Sequence, residues 1–89
     1  MVSKCVLYEG RVQGVGFRFS VKEIAQGYEV TGWVKNLFDG RVQLEVQGER
    51  DEVEAFLQAV QQSHLSALIS RYTIQEVPRL EGVKGFHIR

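Results

Sequence analysis

Apolar and polar positions alternate most regularly between Arg41 and Gln47, where Val42, Leu44 and Val46 are separated by Arg41, Gln43, Glu45 and Gln47. A period of two puts successive side chains on opposite faces, so this segment predicts a strand with one face buried and one in water. Lys4 to Val12 reads as an earlier strand, with Val6 and Tyr8 on one side and Cys5, Leu7 and Glu9 on the other; its apolar content on both sides predicts a central position. Val30 to Leu37 predicts a further strand, joined to the alternating one by Phe38-Asp39-Gly40, whose Asp-Gly pair signals a tight hairpin.

Two stretches change period. Val21, Ile24, Ala25 and Tyr28 fall at i, i+3, i+4 and i+7, which predicts a helix over Ser20 to Tyr28, ended by Gly27. Ser20 and Glu23 have capping-box spacing, and a start at Arg18 is equally compatible. Val53, Phe56, Leu57 and Val60 predict a second helix from about Arg50 to Gln62, with Asp51 and Glu52 favourably set against its N-terminal dipole. Ala67 to Val77 predicts a fourth strand, whose alternation breaks near Ser70 and Arg71 in the manner of a bulge, and Val83 to Ile88 a short last one.

The resulting order, β-α-β-β-α-β with an added terminal strand, predicts a ferredoxin-like α+β sandwich: an antiparallel sheet with two helices on one face. In that plan the first two strands run parallel with the third between them. Their C-terminal ends share one sheet edge, which collects a glycine-rich loop, the start of the first helix, Arg18 and Asn36.

Composition narrows the partners. The chain has 89 residues, 44% of them hydrophobic, enough for one small core and a single domain spanning residues 1–89. Eleven basic and eleven acidic side chains cancel, so no overall field recruits nucleic acid or an anionic membrane. Cys5 is the only cysteine, which excludes an internal disulfide and fits a reducing, cytoplasmic setting; no apolar run has the length of a signal or membrane span. A monomer is expected. His64 and His87 have no partners at metal-ligand spacing, so neither a metal nor another cofactor is expected.

The candidate chemistry lies in Gly10-Arg-Val-Gln-Gly-Val-Gly-Phe-Arg18 and Gly32-Trp-Val-Lys-Asn-Leu-Phe-Asp-Gly40. The first can turn main-chain amides inward as an anion cradle over Gly14, Val15, Gly16 and Phe17, and Arg18 adds a bidentate clamp for phosphate oxygens. Fixed donors aimed at the equatorial oxygens of a transferring phosphoryl group lower its barrier, each worth roughly 10²–10³ in rate. The rest must come from the substrate. An acyl phosphate qualifies, because a carboxylate of pKa about 4 leaves without protonation. The neutral amide of Asn36 can orient the attacking water without repelling the anion. No lysine followed by Ser or Thr completes a P-loop, and Gly14-Val-Gly16 lacks the third glycine of a dinucleotide fingerprint.

These two segments, the second continuing through Asp39-Gly40-Arg-Val42, resemble the paired signatures of the acylphosphatase family, and the likeness extends over nearly all of the chain. The resemblance implies metal-free hydrolysis of small acyl phosphates to carboxylate and inorganic phosphate, with Arg18 binding phosphate, Asn36 orienting water and residues 14–17 forming the cradle. The chain departs from the pattern at Ser63-His-Leu-Ser66, where members often carry proline, and at Phe38 in the hairpin turn. Two alternatives stay open: a non-catalytic small-anion sensor using the same cradle, and an RNA-binding module of the same element order. The second is disfavoured by the lack of aromatic residues at Arg41, Gln43, Glu45 and Gln47, the predicted open face.

Overall fold

In the computed structural model, which describes residues 1–89, the elements run β1 (Val2–Gly10), α1 (Phe17–Ala25), β2 (Val30–Asn36), β3 (Val42–Gly48), α2 (Arg50–Gln62), a 3-10 turn (His64–Leu68), β4 (Ile69–Glu76) and β5 (Phe86–Ile88). The sheet order is β4-β1-β3-β2-β5. β3 pairs antiparallel with both β1 and β2, and β5 adds parallel to β2. This is the ferredoxin-like α+β plan, with a fifth strand at one edge.

Val6 and Tyr8 of β1, Val34 of β2, and Val42, Leu44 and Val46 of β3 form the floor of a single core. Phe17, Val21 and Ala25 of α1 and Val53, Phe56, Leu57 and Val60 of α2 close it from above. Both helices therefore lie on one face, because the apolar stripe of each needs the same apolar sheet surface. No helix is long and apolar enough to cross a membrane.

Local geometry corrects several expected boundaries. β1 runs from Val2 to Gly10, where Lys4 to Val12 was expected. At its end Glu9 pairs with Arg71 and Gly10 with Ile69, leaving Ser70 as the extra residue, so the expected bulge is present. Gly10 sits at φ 134°, and a Cβ there would collide with the Leu68 main-chain oxygen and lie 2.7 Å from the Ser70 nitrogen. Only glycine fits this crossing. α1 begins at Phe17, three residues before Ser20, and ends at Ala25. Ser20 is thus inside the helix and caps nothing; its hydroxyl lies 3.3 Å from His64 Nε2.

Residues 64 to 68, the first two of β4 by expectation among them, form the 3-10 turn, begun by the Ser63 hydroxyl accepting from Leu65 N at 3.1 Å. Leu65 is buried by this turn. β5 is shorter than expected, Phe86–Ile88, and starts just after Gly85 at φ 70°.

The second sheet face is only partly open. Gln47, expected in water, is buried: its amide donates to Leu80 O at 3.0 Å, while its Oε1 accepts from Leu80 N at 2.9 Å and from Ser3 Oγ at 3.1 Å. The segment between β4 and β5 folds over that end of the sheet. Trp33 also lies on this face but is 6% exposed. Lys35 Nζ sits 5.2 Å and the Arg89 guanidinium 4.8 Å from its ring centre, so two cations cover the indole.

Candidate active site

The β1–α1 loop leaves the bulge at Gly10 and enters α1 through Gly16, which takes the left-handed conformation (φ 76°, ψ 17°) at the N-cap. A left-handed N-cap turns the loop sharply, and a non-glycine residue would be strained there. No side chain caps the helix. The main-chain amides of residues 14 to 19 donate to no group of the protein. Unpaired amides at a helix start carry partial positive charge, which favours an anion.

Phe17 fixes this helix start. Its ring is buried, 5.3 Å from that of Tyr8. The next residue, Arg18, turns to the surface and donates from Nη1 to the Arg89 main-chain oxygen at 2.7 Å. No Asp or Glu side chain lies within ion-pairing distance of it. Asn36 is the last residue of β2 and is exposed, with no partner for its side-chain amide in the protein.

Arg18, Asn36, Gly14, Gly16 and Phe17 line one cleft of about 150 Å³, together with Val12, Phe19 and Ile88. Topology brings them together, since the β1–α1 loop and the end of β2 emerge at the same sheet edge. Val15, the remaining residue of the expected cradle, lies in the loop but does not line the cleft, and its side chain is exposed.

The hairpin that follows Asn36 is closed by Leu37 N donating to Arg41 O at 2.8 Å and Gly40 N to Leu37 O at 3.2 Å, with Gly40 at φ 95°. It is thus a three-residue loop, Phe38-Asp39-Gly40, rather than a two-residue turn. The Asp39 carboxylate accepts from the Arg41 amide at 3.0 Å and from Arg41 Nε at 2.8 Å, and that amide, first of all, holds its carboxyl below the usual range.

Five residues at or beside the cleft were missed by sequence reasoning: Val12, Gln13, Phe19, Ile88 and Arg89. Gln13 donates from Nε2 to Leu37 O at 2.7 Å and to Arg41 O at 3.0 Å, tying the glycine loop to the hairpin beyond Asn36. Its place inside the first motif was the available signal. Ile88 and Arg89 arrive with β5, where Arg89 N donates to Val34 O at 2.8 Å. Nothing local marked them, because the pairing of β5 with β2 is a long-range event. No three His, Cys, Asp or Glu side chains gather as a metal-ligating group.

The chain is similar to known proteins along its length. The sequence model of the Acylphosphatase family matches residues 4–88. The chain is 39% identical over 88 residues to an acylphosphatase of Bacillus velezensis, covering 99% of this chain and 98% of that one. It is 45% identical over 83 residues to an acylphosphatase of Geobacillus thermodenitrificans, covering 93% and 88%. The crystal structure of acylphosphatase from Bacillus subtilis superposes with a TM-score of 0.89 at 35% identity, covering 100% of this chain and 99% of that one. A chain so matched from end to end belongs to the acylphosphatase family.

Proposed function

We propose that this chain hydrolyses the carboxyl–phosphate bond of acyl phosphates by direct attack of water on phosphorus. The observation that carries the reading is the cleft that joins unpaired amides, a guanidinium with no Asp or Glu partner and an unpartnered Asn36 amide in a member of the acylphosphatase family. Arg18 and the amides of residues 14–17 hold the phosphoryl oxygens. Asn36 accepts a hydrogen bond from the water and fixes it in line. The water oxygen bonds to phosphorus as the bond to the acyl oxygen breaks. The bonding pair leaves with the carboxylate, and the spare proton goes to phosphate or solvent. Carboxylate and inorganic phosphate are the products.

The barrier falls because donors already in place meet the charge that develops on the equatorial oxygens. Arg18 is preorganised by its bond to Arg89, so little ordering remains when phosphate arrives. Metal independence is part of the proposal, supported by the lack of clustered ligands and by a leaving group that needs no Lewis acid. A monomeric enzyme in a reducing, cytoplasmic setting is part of the proposal, and the free, half-buried Cys5 supports that setting. The covered Trp33 and the polar Gln43 and Glu45 leave the second sheet face without a stacking platform for RNA.

The test is phosphate release from acetyl phosphate by the purified chain in excess chelator. Turnover is expected to persist there. Binding of phosphate with no turnover of any acyl phosphate would instead make the chain an anion sensor.

A further inference from the structure

An acyl phosphate has two ends, and the amides, Arg18 and Asn36 account for one. The cleft is the smallest concavity of the molecule, so an acyl group of any length must lie along its rim. Two aromatic rings compete for that end. Phe19 lines the cleft itself and is 62% exposed. Phe38 lines a neighbouring groove of about 430 Å³ that shares Asn36 with the cleft.

Phe19 stands on the wrong side of α1 for folding. The buried stripe of that helix is Phe17, Val21 and Ala25, and a residue two positions after Phe17 is turned away from it. The ring contributes little to the core while its neighbour Arg18 reaches into the site. Together with Val12, Phe17 and Ile88, the exposed Phe19 ring gives the cleft an apolar wall beside the polar groups, the make-up of a site that takes a ligand with an apolar part. In-line displacement decides between the two rings. Water and leaving group occupy opposite sides of phosphorus, so with the water on Asn36 the acyl group departs from the wall that does not carry Asn36. That wall is the first turn of α1, where Phe19 sits; the Phe38 groove lies on the Asn36 side.

We infer that Phe19 is the acyl-contacting, specificity-determining residue of the site, and that it favours acyl phosphates with extended apolar acyl groups over acetyl phosphate. The inference rests on the proposed hydrolysis. Covering about 55 Å² of apolar surface, at roughly 25 cal/mol per Å², corresponds to about a tenfold preference.

The experiment measures kcat/KM for hexanoyl phosphate and acetyl phosphate in the wild type and in Phe19→Ala, Phe19→Leu and Phe38→Ala. The expected wild-type ratio is about ten in favour of hexanoyl phosphate. It falls towards one in Phe19→Ala, is partly retained in Phe19→Leu, and changes less than twofold in Phe38→Ala. Inhibition by inorganic phosphate, which has no acyl group, shifts less than twofold in Phe19→Ala. A ratio unchanged in Phe19→Ala overturns the inference, as does a fall confined to Phe38→Ala, which would put the acyl group in the groove beyond Asn36. Both results leave acetyl phosphate hydrolysis standing. Absence of turnover with either substrate would sink hydrolysis itself and this inference with it.

Discussion

The side-chain amide of Gln13 donates to the Leu37 main-chain oxygen at 2.7 Å, so the glycine-rich loop and the strand end bearing Asn36 are held as one unit. The same nitrogen reaches Arg41 O at 3.0 Å. In Gln13→Ala two carbonyls lose this donor, and stability is expected to fall by about 1–2 kcal/mol in urea titrations. Turnover should drop at least roughly tenfold, because loop and Asn36 are no longer registered with each other. Gln13→Glu keeps the shape but removes the donor; activity close to wild type in that variant would show that the tether is dispensable.

Arg18 and Asn36 should fail differently. Arg18→Lys keeps a positive charge but loses the planar fork that can serve both Arg89 and phosphate oxygens, so kcat/KM is expected to fall roughly 10²-fold with weaker inhibition by inorganic phosphate. Asn36→Ala should lower kcat by about 10²-fold while phosphate inhibition stays within about twofold. Steady-state kinetics with phosphate as competitor separates the two roles, and equal loss of phosphate affinity in both variants would contradict the division.

Two glycines of the loop should separate stability from activity. Gly10→Ala drives a Cβ into the β4 backbone at a positive φ, and a loss of about 3 kcal/mol or more is expected by denaturation. Gly16→Ala meets nothing within 4 Å and faces only the left-handed conformation, about 1–2 kcal/mol. The second variant should remain folded by circular dichroism yet lose turnover, since relaxing φ at that position redirects the amides.

Tyr8 is buried with its hydroxyl unpartnered, and burial first, then the nearby Tyr72, raises its pKa above the usual phenol value. The folded state keeps the proton at pH values where the unfolded chain has released it. Stability from this group is therefore intact below about pH 10 and declines as pH rises beyond it. Cys5 acts in the same direction, its thiol raised chiefly by burial. Tyr8→Phe is expected to be more stable than wild type by about 1 kcal/mol at pH 7, because an unsatisfied polar atom is removed. The advantage should widen above about pH 10. Urea midpoints of the two proteins across pH 7 to 11 check both statements.

The sandwich was legible because its central elements follow strict periods. Val42, Leu44 and Val46 alternate, and Val53, Phe56, Leu57 and Val60 recur at helical spacing, so local pattern and tertiary burial coincide. Where contacts are long-range, pattern was silent. Gln47 looks solvent-facing by alternation, yet the segment around Leu80 folds back to bury it. The start of α1 shifted to Phe17 because Gly16 permits entry there and the Phe17 ring anchors on Tyr8, neither of which a capping pattern at Ser20 records. Asn36 and Arg18 were readable as motif residues whose meeting follows from topology. Gln13 carried only its place in the first motif, since its amide meets main-chain oxygens that any residue type offers, and Arg89 carried nothing, since it acts through an oxygen of its own main chain.

The bond from Arg18 to Arg89 spans 71 residues of sequence, nearly the whole chain. Such a contact closes late, since distant segments must meet before it can form, and folds rich in non-local pairs are slow to assemble. α1 and the β2–β3 hairpin can take shape from neighbouring residues alone. The Arg18–Arg89 contact cannot, because Arg89 arrives only when β5 docks beside β2. The core, whose buried residues run from Val6 to Leu65, can therefore assemble before Arg18 gains the support of Arg89.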